Sequence, residues 1–343
     1  MNRKVAIFLL LVLSPGCSHV AQVSDSRSVL LNGAGATFPY PIYSKWFDEY
    51  RKHNPNVQIN YQSIGSGGGI RQLLAGTVDF GASDGPMSDE QLAQSKSKIL
   101  HFPTVLGADV ATYNLPGANQ EINFSPQALA GIFLGKITKW NDAELTKANP
   151  GVNLPSNDIV VIHRSDGSGT TYIWTDYLSK VSPEWKTTVG QGASPKWPVG
   201  LGGKGNEGVS GLVKQTPYSL GYVELVYALQ NKLAYGRVRN SSGAFVKADL
   251  AGTTAAAAGA AKNMPDDFRV SITNAPGNNS YPICSFTWLL IPSNIPDAAK
   301  RTTVKEFIKW MATEGQEFAE PLGYARIPHE VAEKEIQAIS LIN

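Results

Sequence analysis

The sequence predicts an exported α/β protein, and its 343 residues are enough for two lobes of ordinary domain size. Segments with strand-like and helix-like patterns alternate along the chain, which is typical of βαβ units and a mostly parallel sheet. The N-terminus has a basic pair, a short apolar run and then small residues, as secretory leaders do. No later apolar stretch reaches the ~20 residues that a membrane-spanning helix needs.

The leader is predicted to cover residues 1–21, and its end has two interpretations. Cys17 ends the stretch LSPGC, which resembles a bacterial lipoprotein cleavage site, although leucine usually stands where Ser14 is. Cleavage after Ala21 is the alternative, and both remain open. Either way Cys284 has at most one possible partner, so we expect it to be buried as a small hydrophobic residue.

The charge balance excludes one class of partner. The chain has 30 Lys and Arg against 28 Asp and Glu, and removal of the leader with Arg3 and Lys4 makes the two classes equal. A neutral surface argues against nucleic-acid binding, which depends on basic patches.

The spacing of apolar residues predicts the elements in order. Before residue 107 the pattern predicts a helix in FPYPIYSKWFDEYRKHNP, a strand in VQINYQSI, a helix in GGGIRQLLAG and a strand in TVDFGASD. The region between Gly107 and Tyr281 has the strand DIVVIHR before a helix, the glycine-rich VGLGGKGNEG, the strand LGYVEL and an alanine-rich helix expected to be exposed. Two helices, in TVKEFIKWMATEGQEFAE and PHEVAEKEIQAI, follow near the C-terminus.

Four segments share a design suited to binding an anion. In each, a strand or loop ends in small or hydroxyl residues where a helix is expected to begin, and a helix N-terminus offers free N–H groups and partial positive charge. Capped helices, a flexible glycine turn and an Asx turn are the alternatives. The residues are Thr37 in GAGATFPYP and Ser66 in SIGSGGGI as predicted N-caps, Asp84 in VDFGASDGP, and Ser168, Gly169 and Thr170 in HRSDGSGTTY.

Arg164 and Asp84 make the prediction more specific. The planar fork of Arg164 matches two oxygens of an oxyanion, and Asp166 is close enough in sequence to hold that fork in place. A carboxylate such as Asp84 repels an anion unless the anion carries a proton. A surface Arg-Asp pair beside a capped helix is the alternative.

The sequence motifs give little support for an enzyme. The pattern G-x-S-x-G fails at Ser66, Ser168 and Ser210, and the five histidines are scattered without metal-ligand spacing. GIFLGKIT has the wrong spacing for a P-loop and lacks a hydroxyl residue after its lysine. The sequence therefore predicts no catalytic residues, no metal and no cofactor.

Five segments in order resemble one family: GAGATFPYPIYSKW, IGSGGGIRQLLAGTVDFGASDGPMS, FLGKITKWND, RSDGSGTTYIW and WPVGLGGKGNEGV. Together they are similar to the phosphate-binding receptors of bacterial phosphate ABC importers, the PstS family. The resemblance implies a type II periplasmic-binding-protein fold, in which two lobes with mixed sheets flanked by helices are joined by a two-strand hinge. It places lobe 1 at residues 22–107 and 290–343 and lobe 2 at residues 108–289.

The resemblance also implies a binding site and partners. Asp84 would accept the proton of phosphate, Asp166 would orient Arg164, and the receptor would be a monomer that delivers phosphate to a membrane permease from the periplasm. A receptor for another tetrahedral oxyanion, or phosphate sensing on the same fold, remains the alternative. The implied phosphate-binding residues are Thr37, Phe38, Ser66, Asp84, Arg164, Ser168, Gly169 and Thr170.

Overall fold

A computed structural model describes residues 28–117 and 120–343, so the predicted leader and Cys17 lie outside the described residues. The strands in these ranges are β1 Val29–Gly35, β2 Val57–Ser63, β3 Phe80–Ser83, β4 Ile99–Asn114, β5 Asn123–Phe124, β6 Val160–Arg164, β7 Leu201–Gly203, β8 Ser219–Glu224, β9 Ala234–Tyr235, β10 Arg237–Arg239, β11 Phe245–Val246 and β12 Cys284–Pro292. The α-helices are α1 Tyr40–His53, α2 Ser66–Ala75, α3 Asp89–Leu92, α4 Pro126–Phe133, α5 Ala143–Ala148, α6 Gly169–Val181, α7 Pro183–Thr188, α8 Gly205–Gln215, α9 Leu225–Gln230, α10 Leu250–Ala261, α11 Ala298–Ala312 and α12 His329–Ala338.

One continuous sheet runs through the molecule in the order β2-β1-β3-β12-β4-β8-β6-β7, and β9 also pairs with β4. We call β2, β1, β3, β12 and residues 99–108 of β4 the first half-sheet, because β12 pairs with that part of β4. Residues 109–114 of β4 pair with β8 and, together with β8, β6, β7 and β9, form the second half-sheet. The long strand β4 is therefore shared by both halves.

The sheet is mixed, and the expectation of a mostly parallel sheet holds only for the outer strands of each half. Strands β2, β1 and β3 are parallel to one another, as are β8, β6 and β7. In the middle, β12 and β8 each run antiparallel to β4. Both parallel groups are therefore joined through antiparallel pairs to the long strand that the two halves share.

Most predicted elements form where the pattern placed them, and the alanine-rich helix shows one difference. Residues 250–261 are helical, but Gly252, Thr253, Ala256 and Ala257 are buried, so the expectation of an exposed helix is wrong for one face. The small side chains let this face lie close to its neighbours, which include β4 and β12. Cys284 is fully buried and unpaired, as expected.

The core of the second half supports the end of β6. Trp174 stacks on Tyr222 with ring centroids 4.9 Å apart. The Tyr222 hydroxyl lies 2.6 Å from Thr171 Oγ1 and accepts a hydrogen bond from the Arg164 N–H. Packing therefore holds the last residue of β6 against the first turn of α6. Within the described residues, no helix combines the length and apolar character needed to cross a bilayer.

Candidate anion-binding site

The ends of the parallel strands meet at one place in the molecule. Strands β1, β2 and β3 of the first half-sheet lead to Thr37, Ser66 and Asp84, and strands β6 and β7 of the second lead to Arg164 and Asn206. Ligands of open α/β sheets bind beyond the carboxyl ends of strands, because helix N-termini begin there. The structure thus brings residues that are far apart in sequence into one site.

Hydrogen bonds join this site across the two halves. Ser66 Oγ accepts a hydrogen bond of 3.0 Å from the Gly169 N–H and one of 3.3 Å from the Asp84 N–H. A Cβ atom at Gly169 would collide with Ser66 Oγ and Asp84 Oδ2, so glycine is required for this close approach. The Gly67 N–H also donates to the Gly167 carbonyl at 2.9 Å, which places the start of α2 against the loop before α6.

Two of the predicted N-caps are wrong. Helix α1 begins at Tyr40 after Pro39, and the hydroxyl of Thr37 instead contacts Asn206 at 2.9 Å. Helix α2 begins at Ser66 itself, after Gly65 with φ 85°, so Ser66 is the first helical residue rather than the cap. Neither hydroxyl caps a helix. The Thr37 hydroxyl bonds to Asn206 and the Ser66 hydroxyl accepts from the Gly169 N–H, and both partners belong to the other half.

The helix predicted to open with Ser168, Gly169 and Thr170 is present as α6, with Ser168 as its N-cap. Ser168 precedes α6, and its Oγ accepts a hydrogen bond of 3.1 Å from the Thr171 N–H. Helix geometry leaves the first amides of α6, among them that of Thr170, without an acceptor inside the helix. The start of α6 therefore presents N–H groups together with the hydroxyl of Thr170.

Arg164 is a buried cation with its guanidinium held in place. Its side chain is 1% exposed, and its Nε and Nη2 donate to the two oxygens of Asp166 at 2.8 and 2.6 Å. Nη1 donates to Thr170 Oγ1 at 3.1 Å, so three of the five N–H groups are used and one remains on each terminal nitrogen. Burial opposes the charge of Asp166, but the hydrogen bonds and charge of Arg164 outweigh it and hold the Asp166 pKa below its usual range.

Asp84 is a buried acid on the other side of the site. It is 1% exposed, and its Oδ1 accepts a hydrogen bond of 2.8 Å from Thr287 Oγ1. Its Oδ2 lies 3.5 Å from Ser66 Oγ. Burial raises the pKa of Asp84 to about 7, against the opposing effects of the Thr287 hydrogen bond and the charge of Arg164. The group can therefore accept or release a proton near neutral pH.

Four residues that hold the site together are not among those predicted from the sequence. Thr287 on β12 orients Asp84, and Asn206 contacts the hydroxyls of Thr37 and Thr170. Tyr227 and Tyr324 donate to the backbone carbonyls of residues 37 and 38 at 2.5 and 2.6 Å. Only the glycine-rich GKGNEG around Asn206 was a visible signal, since Thr287 and Tyr227 lie in ordinary strand and helix patterns and Tyr324 lies in the irregular segment between α11 and α12.

A second pair of acids lies where β4 passes from one half-sheet to the other. Asp109 and Glu224 are directly opposite each other on β4 and β8, and both are fully buried. Both carboxylate oxygens of Asp109 and Oε1 of Glu224 have no hydrogen-bond partner within the described residues. Burial, and then the neighbouring carboxylates, raise the pKa of Asp109 well above its usual value, and burial does the same for Glu224.

Comparison with known proteins agrees with this architecture. A family model described as a PBP superfamily domain matches residues 20–314. The phosphate-binding protein PstS of Pasteurella multocida (strain Pm70) is 48% identical over 314 residues, which cover 91% of this chain and 90% of that protein. The phosphate-binding protein PstS of Haemophilus influenzae is 47% identical over 321 residues, covering 93% and 94%.

Solved structures share the fold. A high-affinity periplasmic phosphate-binding protein (PfluDING) superimposes with a TM-score of 0.71 at 20% identity, covering 90% of this chain and 94% of that one. A human phosphate-binding apolipoprotein gives a TM-score of 0.70 at 21% identity, covering 88% and 92%. At this identity the likeness shows the fold alone.

The fold and the match to the superfamily model define an α/β periplasmic-type binding protein, in which one site draws residues from both half-sheets. The predicted type II binding-protein fold is thereby confirmed. With identities of 46–48% to curated relatives over most of its length, the chain belongs to the PstS family of phosphate-binding proteins.

Proposed function

We propose that this protein is an exported receptor that binds inorganic phosphate with high affinity and delivers it to an ABC import permease. The observation that carries the proposal is the pairing of buried Arg164 with buried Asp84 in one site lined by N–H and O–H donors. A cation alone would suit any oxyanion, whereas the acid restricts the site to an anion that carries a proton. Relatives named phosphate-binding protein PstS support the choice of phosphate and a receptor, not an enzyme.

In this proposal the predicted residues have distinct roles. Arg164 binds two phosphate oxygens through the N–H groups that Asp166 and Thr170 leave free. The hydroxyls of Thr37, Ser66 and Thr170, the amide of Phe38 just before α1 and the amides that begin α6, including that of Gly169, donate to the remaining oxygens, while Ser168 caps α6.

Asp84 would provide the discrimination against sulfate. Inorganic phosphate has one more acidic hydroxyl than a phosphate monoester, so it still carries one proton after the ionisation near pH ~6 to 7 and keeps that proton at pH 8. Asp84 and phosphate can share this proton, since burial raises the pKa of Asp84 to about 7. Sulfate has no proton to share, so an ionised Asp84 would face a dianion without a hydrogen bond.

Phosphate would act by closing two lobes. We propose that lobe 1 comprises residues 22–107 and 290–343 and lobe 2 comprises residues 108–289, with β4 and β12 as the hinge strands. The contacts Gly67 N to Gly167 O, at 2.9 Å, and Asn206 to Thr37 support a closed arrangement in which an anion bridges both lobes. A ligand shifts such an equilibrium only through its higher affinity for the closed state. The closed monomer would then dock on its permease from the periplasm, either free or anchored by a lipid at Cys17.

Calorimetry with four anions tests the proposal. Phosphate and arsenate, which are both protonated at neutral pH, should bind at one site per chain, and sulfate and molybdate should not compete at pH 8. Tight binding of sulfate or molybdate with weak binding of phosphate would instead make the protein a receptor for another oxyanion. Turnover of a phosphate ester would contradict a purely binding function.

A further inference from the structure

Asn206 occupies a special position between the two half-sheets. Its side chain is fully buried at the start of α8. Its Nδ2 lies 2.9 Å from Thr37 Oγ1, beyond the end of β1, and 3.3 Å from Thr170 Oγ1, in α6. Its backbone N–H also donates to Thr37 Oγ1 at 3.3 Å. One residue thus contacts proposed phosphate-binding hydroxyls from both lobes.

The orientation of the Asn206 amide follows from its third contact. Its Oδ1 accepts a hydrogen bond of 3.2 Å from the backbone N–H of Glu224. A backbone N–H can only donate, so the oxygen of the amide must face Glu224 and its NH₂ group must face the two threonines. The amide is therefore a donor to both hydroxyls.

Counting hydrogen bonds then determines where the threonine protons point. A hydroxyl has two acceptor lone pairs and one donor proton. Thr37 Oγ1 accepts from the backbone N–H and Nδ2 of Asn206, and Thr170 Oγ1 accepts from Nη1 of Arg164 and Nδ2 of Asn206. Because both lone pairs of each oxygen are used, each hydroxyl has only its proton left to offer.

We propose that Asn206 is a positioning residue that makes the hydroxyls of Thr37 and Thr170 obligate donors to the bound anion. This inference rests on the proposed phosphate site. A free hydroxyl can turn a lone pair towards an anion, whereas one whose lone pairs are occupied is oriented as a donor before the anion arrives. Asn206 and Thr170 both belong to the proposed lobe 2, whereas Thr37 belongs to lobe 1, so Asn206 reaches Thr37 only when the two lobes are together and links closure to the orientation of that donor.

The test is a double-mutant cycle between Asn206 and Thr37 with phosphate affinity as the readout. Asn206→Ala should weaken phosphate binding at least tenfold in the wild-type background. In the Thr37→Val background the same change should cost clearly less, because the hydroxyl that Asn206 orients is gone. An equal fold-change in both backgrounds would overturn the proposal.

Two further variants separate positioning from packing and folding. Asn206→Leu keeps the bulk but removes the donors, so it should lose at least as much affinity as Asn206→Ala; near wild-type affinity would show that Asn206 acts by packing and would refute the inference. Asn149→Ala is the matched control, because Asn149 is a buried asparagine bonded to Asn123 and Leu145 away from the site. It should lower the melting temperature without changing phosphate affinity. Failure of the wild type to bind phosphate would refute the proposed function itself, which is a separate outcome.

Discussion

Replacement of Asp84 by Asn tests whether a carboxylate distinguishes phosphate from sulfate. The change keeps the volume of the side chain, and the Asn oxygen can keep the 2.8 Å hydrogen bond from Thr287. The new NH₂ group then takes the place of Oδ2, which lies 3.5 Å from Ser66 Oγ and beside Gly169. An acceptor that faces the anion therefore becomes a donor, and one negative charge leaves a fully buried position.

The expected magnitudes differ for the two anions. For phosphate, loss of a charged acceptor and loss of repulsion oppose each other, so affinity should change by no more than about 1–2 kcal/mol, as for a single hydrogen bond. For sulfate both effects favour binding, because the wild type must either hold an ionised carboxylate against a dianion or first protonate Asp84. Because the pKa of Asp84 is about 7, protonating it at pH 8 costs the wild type about 1.4 kcal/mol, so sulfate should gain about tenfold in the variant at this pH.

The assay is a paired titration of wild type and Asp84→Asn with both anions at pH 8 and one salt concentration. At pH 8 a group with a pKa of about 7 is mostly ionised, so the wild type should bind sulfate about tenfold more weakly than the variant there. Phosphate binding by the variant serves as the control for an intact site. If the variant binds phosphate yet still excludes sulfate as the wild type does, the carboxylate of Asp84 is not what distinguishes a protonated anion from an unprotonated one.

Further perturbations address charge, pH and anchoring. Arg164→Lys should weaken phosphate binding about tenfold or more, because it loses the bidentate fork; an unchanged dissociation constant in the folded variant would remove Arg164 from the site. Weak sulfate binding to the wild type should rise roughly tenfold from pH 8 to pH 6 as Asp84 gains its proton, and Asp84→Asn should lack this rise. Burial raises the pKa of Asp109, so the folded state keeps a proton that the unfolded chain releases above the ordinary aspartate pKa. The free energy of unfolding therefore falls as the pH rises towards the folded-state pKa of Asp109. Urea unfolding of Asp109→Val between pH 5 and 8 should show a shallower decline in the free energy of unfolding than the wild type, and parallel curves would contradict this. Cys17→Ser should move the protein from the membrane fraction to the soluble fraction; if the wild type is already soluble, lipidation is wrong.

Local patterns predicted the elements well because their causes are local. The spacing of Ile173, Trp174 and Tyr177 marks the buried face of α6, and Ser168 before it is a good cap, so this helix begins where expected. The same reasoning failed at Thr37 and Ser66, which have the right residue type at the right distance from a helix. Their hydroxyls bond instead to Asn206 and Gly169, residues 169 and 103 positions away along the chain.

The sequence by itself determined the succession of strands and helices, the family, and the residue types of an anion site, because each depends on neighbours in the chain or on long shared motifs. Only the tertiary structure decided which hydroxyl donates to which acceptor, that Thr287 orients Asp84, and that the Asp109 carboxylate faces Glu224 with no hydrogen-bond partner among the described residues. The physical reason is that a hydrogen bond needs its two atoms within about 3.5 Å. For residues on different strands that distance is set by the register of the sheet and the approach of its two halves, which no local pattern encodes.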